Sequence, residues 1–381
     1  MTINYRPEID GLRSIAVLPV ILFHAGVTIF SGGYVGVDVF FVISGYLITL
    51  MIIAETEVKN FSLIQFYERR IRRIIPALFF VILVCLPFAW FMMMPYELRD
   101  FSQSLVAVVF FASNILFWKE SNYFEPDSEQ KPLLHTWSLA VEEQFYIFFP
   151  LLIIVFWRFG KQKTLLLLIL LASVSLVFSD FQSRTDPEAN FYLTPSRIWE
   201  LLFGSIVAVY IKDKGPIKNN LLSLMGLILI GFSIIFFDDD TRFPSFLTLV
   251  PVVGTCMIIV YSHKETFTGR ILSSSAPVQI GLISYSAYLF HQPIFAFARI
   301  NSFEHPSTPL MIFLALLSLV LAFFSWKYIE APFRNKKKFS KRTIFSLFPF
   351  FSVFILVIGL SGHFSNGFYD LKTSGIKPEN R

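Results

Sequence analysis

Charge is what this sequence has least of. Only 15% of its 381 residues are Asp, Glu, Lys or Arg, against about 25% in an average soluble domain. The shortage excludes a soluble enzyme, a disordered chain and a nucleic-acid binder whose basic surface faces water. The net charge is small as well, +5 from 32 Lys and Arg against 27 Asp and Glu. Cysteine is nearly absent. Cys85 and Cys256 both lie inside apolar runs far apart in sequence, which points away from a disulfide framework, a CxxC motif or a zinc cluster. No GxGxxG, Walker A, HExxH or nucleophile-elbow pattern occurs, no fixed-period repeat is evident, and no metal is expected.

Apolar residues fill the space that charge leaves. They make up 55% of the chain, with 46 Phe, and gather in twelve runs of membrane-spanning length: 12–30, 34–54, 74–94, 101–118, 138–157, 163–179, 193–211, 220–236, 247–262, 278–298, 309–329 and 343–361. The first run follows Asp10, carries His24 midway and has no small-x-small cleavage site before Gly32-Gly33-Tyr34. It is expected to be a retained span and not a cleaved leader. Run 101–118 is the weakest, since it holds Ser102, Gln103, Ser104, Ser113 and Asn114.

The basic residues give that run a test. If it dips into the bilayer and returns, the early set Lys59, Arg69, Arg70, Arg72 and Arg73 shares a side with most later ones, including Arg158, Lys161, Lys212, Lys214, Lys264 and Lys336 to Lys338. If it spans, the two sets face each other across the membrane. The positive-inside rule therefore predicts an all-α polytopic helical bundle of about eleven transmembrane helices plus one re-entrant or interfacial segment. The N-terminus is then cytoplasmic and the C-terminus outside. The expected division is a membrane domain over 1–335, a basic linker with one further helix over 336–361, and a short outer tail over 362–381.

Ionisable residues within or at the edges of these spans need a partner or a water-filled cavity. They are Arg13, His24, Asp38, His135, Glu142, Glu143, Arg197, Glu200, His291 and Lys327. Arg13 and His24, eleven positions apart, share one helix face at a separation of about 16 Å. A membrane histidine can simply bond a neighbouring helix, but its near-neutral titration also suits it to take a proton from a hydroxyl. His135 and Glu142, seven apart, are expected on one face. Arg197 and Glu200, three apart, read as an intrahelical pair. The Arg69-Arg70-Ile71-Arg72-Arg73 cluster has two readings: a topogenic or lipid-headgroup cluster, or a phosphate clamp that uses the guanidinium fork.

Ordered motifs carry a resemblance. Tyr5 to Ala16, Phe23-His24-Ala25 and Gly33 to Thr49 are followed by Phe66 to Ala77, Leu133 to Tyr146, Ser196 to Glu200 and Ile283 to His291. Together, over 1 to about 335, they resemble the acyltransferase-3 family of membrane acyltransferases. The resemblance implies transfer of an acetyl or other short acyl group from cytoplasmic acyl-CoA, acetyl-CoA above all, to a sugar hydroxyl of a surface polysaccharide such as lipopolysaccharide O-antigen. It places the family's basic residue, ten positions, histidine pattern on Arg13 and His24. It places the arginine-x-x-arginine motif on Arg69 with Arg72 or Arg70 with Arg73, and the HTWSL segment on His135.

The expected roles follow. His24 is the general base and His135 a second acid/base or acceptor-positioning residue. Arg13, Arg69, Arg70, Arg72 and Arg73 hold the donor's phosphates. The setting implied is the bacterial inner membrane, with membrane lipids, acyl-CoA and a lipid-linked or surface glycan as partners and no nucleic acid. Relatives often read Tyr-Leu-Trp-His-Trp-Pro where this chain has Tyr288-Leu289-Phe290-His291-Gln292-Pro293. Many also continue into an outer SGNH hydrolase-like domain where this chain stops at Arg381, so the expectation is either a stand-alone form or a truncated or split one with a separate SGNH-type partner. The rival functions are a transporter that moves an acyl donor or lipid-linked sugar without chemistry, and a non-catalytic scaffold.

Overall fold

A computed structural model describes residues 5–120, 128–302 and 304–373, and every regular element among them is helical. In chain order these are α1 (Pro7–His24), α2 (Gly36–Glu57), α3 (Leu63–Met92), α4 (Pro95–Val109), α5 (Ser113–Glu120), α6 (Thr136–Trp157), α7 (Lys161–Thr185) and α8 (Pro187–Tyr192). There follow α9 (Thr194–Ile211), α10 (Asn220–Phe236), α11 (Leu249–Tyr261), α12 (Phe267–Leu272), α13 (Ser275–Ile300) and α14 (Thr308–Ser325). A π-helical turn, Trp326–Glu330, leads into α15 (Ala331–Arg334), and α16 (Lys341–Phe364) and α17 (Tyr369–Thr373) are the last elements among the described residues.

Local chemistry sets several of these ends. Pro7, Pro95 and Pro187 open α1, α4 and α8, where a missing N–H removes no helix bond. Asn219 and Ser340 cap α10 and α16 by accepting from Leu222 N and Thr343 N. Helix α1 stops at His24, earlier than the apolar run that continues to residue 30, because Gly26 takes a φ of +74° and turns the chain out of the helix. Run 101–118 is split between α4 and α5 around Phe111, whose φ is +50°. Helix α3 begins at Leu63, so the arginine cluster is helical and not part of a loop.

Six helical segments among the described residues are long and apolar enough to cross a membrane: Gly33–Glu57, Leu63–Met92, Thr136–Trp157, Lys161–Thr185, Thr308–Arg334 and Lys341–Phe364. Asn220–Phe236 and Phe246–Tyr261 are apolar but shorter. Helix α7 displays the polarity expected against lipid. It turns Leu166, Leu170, Val174, Val177 and Phe181 outward while burying Ser175, Ser179 and Asp180. In water that arrangement would be inverted; in hydrocarbon it keeps polar groups away from the solvent.

The chain forms two compact units interleaved in sequence, Met1–Gln65 with Val141–Tyr288 and Phe66–Ala140 with Leu289–Arg381. In the first unit, α2 packs along α9 at very short range. A Cβ built on Gly45 would lie 1.8 Å from Leu201 O, and one on Gly204 would lie 2.0 Å from Val42 O. Only two glycines facing opposite backbones permit that approach. Helix α7 covers α9, and α10 pairs with α11. In the second unit α4 packs against α16, with Ser102 beside Gly359 and Gly362. Phe79 of α3 stacks on Phe348 of α16 at 6.0 Å between ring centroids.

Candidate functional site

In the first unit, the Arg13 guanidinium donates to Asp10 Oδ1 at 2.8 Å, while the Tyr5 hydroxyl donates to Asp10 Oδ2 at 2.8 Å. Burial and that bond to the carboxylate push the Tyr5 phenol up to about 12, so it stays protonated and keeps donating. Arg13 therefore enters the fold as half of an ion pair three residues apart. His24 is the last residue of α1. Its Nδ1 lies 2.9 Å from Val20 O. A carbonyl can only accept, so Nδ1 carries the proton and the basic lone pair falls on Nε2. The tautomer a general base requires is thus set by the helix itself. The His24 ring meets Phe23 edge to face at 5.0 Å, Phe23 meets Tyr34 at 5.5 Å, and Tyr34 meets Phe243 at 4.7 Å.

Arg197 lies deeper in the same unit. One nitrogen, Nη1, donates to Glu200 Oε1 at 2.9 Å and to Asp38 Oδ1 at 3.1 Å, and none of the three residues is exposed. The guanidinium also faces the rings of Phe243, Phe191 and Phe41 at 5.1, 5.4 and 5.6 Å, a cation–π cage out of water. The pair with Glu200 is legible from the three-residue spacing. The pair with Asp38 joins residues 159 positions apart, and the only sequence signal for it is an unexplained carboxylate at the start of an apolar run. Glu142 accepts from Ser44 Oγ at 2.9 Å and from Tyr146 at 3.0 Å, which ties α6 to α2.

The second unit holds the other sequence candidates. His135 does not share a helix face with Glu142, since α6 begins at Thr136 and His135 precedes it. It lies in a pinned turn, where Thr136 Oγ1 donates to Leu133 O at 2.7 Å and Ser113 Oγ to Thr136 O at 2.9 Å. His135 is buried, and its ring meets that of fully buried His291 at 5.8 Å, edge to face. The neighbour of His291, Gln292, donates through Nε2 to the carbonyls of Glu129 and Lys131, 3.2 Å each. Arg299 pairs with Glu129 at 2.9 Å. The structure thus brings together His135 and His291, a pairing that spacing could not show.

The arginine cluster divides by environment. Arg72 is buried, donates through Nε to Glu68 Oε1 at 2.9 Å and through Nη1 to Phe333 O at 3.1 Å, and so braces α3 against the segment after α15 begins. Its partner is four residues back on the same helix, a spacing that favours pairing. Arg69, Arg70 and Arg73 are half-buried.

These features define a class first: an all-helical, multi-pass membrane protein that keeps ionisable side chains in its interior, where each demands a structural or functional use. The family follows from comparison, since the acyltransferase-3 model, described as an acyltransferase domain, matches residues 6–329. The chain belongs to that family. It is 34% identical over 351 residues to the peptidoglycan O-acetyltransferase OatA of Listeria monocytogenes, covering 87% of this chain and 56% of that protein. It is 32% identical over 350 residues to the O-acetyltransferase OatA of Staphylococcus aureus strain NCTC 8325, covering 87% and 58%. The chain therefore spans less than three-fifths of the length of these relatives. No solved structure matches it.

Proposed function

We propose that this protein is a membrane O-acetyltransferase that moves an acetyl or short acyl group from cytoplasmic acyl-CoA to a sugar hydroxyl of a surface polysaccharide. The observation that carries the reading is the hydrogen bond from His24 Nδ1 to Val20 O, within a chain of the acyltransferase-3 family. It leaves Nε2 as the base. In direct transfer the acceptor hydroxyl gives its proton to His24 Nε2 as its oxygen attacks the thioester carbonyl. The tetrahedral intermediate then expels the CoA thiolate, which takes the proton from His24. His135, held beside His291, is the candidate for orienting the acceptor or sharing the proton work. Arg13, Arg69, Arg70, Arg72 and Arg73 are the residues proposed for donor phosphate, and Arg13 and Arg72 also pair with Asp10 and Glu68.

The acceptor is proposed as a glycan of the cell surface. Sequence resemblance suggested lipopolysaccharide O-antigen, and the name of the L. monocytogenes relative specifies peptidoglycan. The setting proposed is the bacterial inner membrane, with eleven spans, a cytoplasmic N-terminus and an outer C-terminus. Supporting that topology, the segments that carry Glu57, Lys212 and Lys264 meet at one end of the first unit, as the basic-residue distribution requires. The test is acyl transfer from acetyl-CoA to isolated glycans by the purified chain in detergent, read by a mass gain of one acetyl group. Detergent removes the barrier, so a transporter without chemistry would give no product, and the glycan that gains mass identifies the acceptor.

A further inference from the structure

Five basic residues stand apart from the proposed donor and base: Lys336, Lys337 and Lys338 in the turn after α15, and Lys341 and Arg342 at the start of α16. All five are exposed and, unlike neighbouring Arg334, which pairs with Glu330 at 2.6 Å, none makes an ion pair among the described residues. The turn that carries three of them is held in shape. Lys337 N donates to Asn335 Oδ1 at 2.9 Å, Lys338 N and Phe339 N donate to Asn335 O, and Phe333 stacks on Phe339 at 4.2 Å between ring centroids. It joins two segments long and apolar enough to span, Thr308–Arg334 and Lys341–Phe364, so it lies at a membrane–water interface. Lys341 and Arg342 open α16 with no acidic residue in its first turn. A helix N-terminus disfavours cations, and an anion held there relieves the repulsion.

Next to this basic rim lies an apolar slot, wholly within the second unit. A cavity of about 180 Å³ is walled by Ile75, Phe79 and Phe80 of α3, Phe333 of α15, and Ile344 and Phe348 of α16, and every residue that lines it is apolar. Along α16 it runs from Ile344 to Phe351, about 10 Å. Phe80, Leu83, Leu347 and Phe351 are half-buried, so the slot is open on its side. It is too small for a nucleotide and offers a sugar no polar partner; hydrocarbon suits it. Rim and slot are physically joined. Phe333 belongs both to the wall and to the stack that shapes the basic turn. Lys341 sits one turn from Ile344 on the same side of α16, with its ammonium 5.8 Å from the Phe345 ring.

We propose that the slot and its rim form a binding site for an anionic phospholipid, with part of an acyl chain between α3 and α16 and the phosphate on Lys341, Arg342 and the Lys336 to Lys338 turn. A basic rim alone would accept any anion, and an apolar slot alone any lipid. One helical turn apart, they select a molecule that has both parts. Basic pockets between spanning helices are a known setting for anionic headgroups, whereas a zwitterionic lipid brings its own cation to the rim. None of these residues is among those proposed for the donor.

The experiment uses the purified full chain, stripped of lipid in a neutral detergent, and counts added phosphatidylglycerol by native mass spectrometry. Wild-type protein should retain one molecule, which phosphatidylcholine with the same chains displaces about 10-fold less well than unlabelled phosphatidylglycerol does. Glycerol 3-phosphate, which has the phosphate and no chain, should not displace it. The variant with Lys336, Lys337, Lys338, Lys341 and Arg342 all changed to Gln should melt as lipid-free wild type does, because the five side chains are exposed. It should bind phosphatidylglycerol about 10- to 100-fold more weakly. Leu347→Trp, which fills the slot and keeps the rim, should weaken binding as well. Equal retention of phosphatidylcholine would mark an ordinary lipid contact and overturn the proposal. Displacement by glycerol 3-phosphate or by CoA at equal concentration would mark a site for free phosphate or for the donor, and would also overturn it, as would wild-type affinity in the five-residue variant. The lipid comparisons need only wild-type protein, so they decide the matter even if a variant fails to fold.

Discussion

The two units bury ionisable groups in different ways. At the heart of the first, Arg197 is met by Asp38 and Glu200 and wrapped by three aromatic rings. The second buries, besides the ion pair of Arg72 with Glu68, two imidazoles, His135 and His291, edge to face. A guanidinium cannot shed its charge, so inside a membrane protein it must be held by fixed opposite charge. An imidazole can sit buried as a neutral ring and still exchange a proton. The first arrangement suits holding helices together, the second chemistry or positioning. Removing each should therefore fail in a different measurement.

The largest effect should come from Arg197→Leu. It strands two carboxyl groups, and breaking a buried pair in this way costs about 3–5 kcal/mol, so the variant should express poorly or melt well below wild type in detergent. Asp38→Asn keeps one guanidinium against one carboxyl and should be much milder. Equal loss from both would mean that the cluster does more than balance charge.

His24→Ala should leave melting near wild type while reducing acyl transfer about 100-fold or more, the usual scale for a lost general base. Full activity would end its catalytic assignment. The α3 arginines then divide. Arg72→Ala leaves buried Glu68 without its cation and Phe333 O without a donor, so it should lower stability by about 1–3 kcal/mol. Arg69→Ala should raise the donor KM, measured on correctly oriented folded protein, with Arg69→Lys restoring it only partly, since a point charge lacks the fork. A topogenic cluster predicts full rescue by lysine, with misoriented rather than slow protein.

For the imidazole pair the informative quantity is coupling. His135→Gln and His291→Gln, alone and together, should show an interaction energy of about 0.5–3 kcal/mol in transfer rates, as expected of residues in contact. Strict additivity would separate the two roles.

What the sequence shows and what it hides follows from range. The low charge and the apolar runs gave the membrane class, and a three-residue spacing gave the Arg197–Glu200 pair, because a helix turns sequence distance directly into geometry. Helix ends were legible only in part. Reading apolar runs starts α3 near residue 74, whereas Glu68 and Arg72 neutralise each other and let the helix begin at Leu63. Partners 159 and 261 residues away, Asp38 for Arg197 and Phe333 O for Arg72, depend on tertiary packing that no local pattern encodes. The same holds for His135 and His291.

The smallest effect should come from the exposed counterpart of the Arg197 cluster, the pair of Lys161 with Asp213 at 2.5 Å. The hydrogen bond from Lys161 holds the Asp213 carboxyl below its ordinary 3.8. With its folded-state value depressed, this group adds stability above the unfolded value and loses it as pH falls through the folded one. The side chains are exposed and screened, so the contribution is at most about 1 kcal/mol. Melting curves of wild type and Asp213→Asn should therefore differ slightly at pH 7, converge as pH drops below the ordinary carboxylate range, and converge also in 1 M salt. The gap between wild type and Asp38→Asn should be insensitive to salt, because ions do not reach a fully buried pair. A salt-dependent gap at Asp38 would show that water and ions enter the Arg197 cluster, and the contrast between a sealed ion pair and an open one would fall.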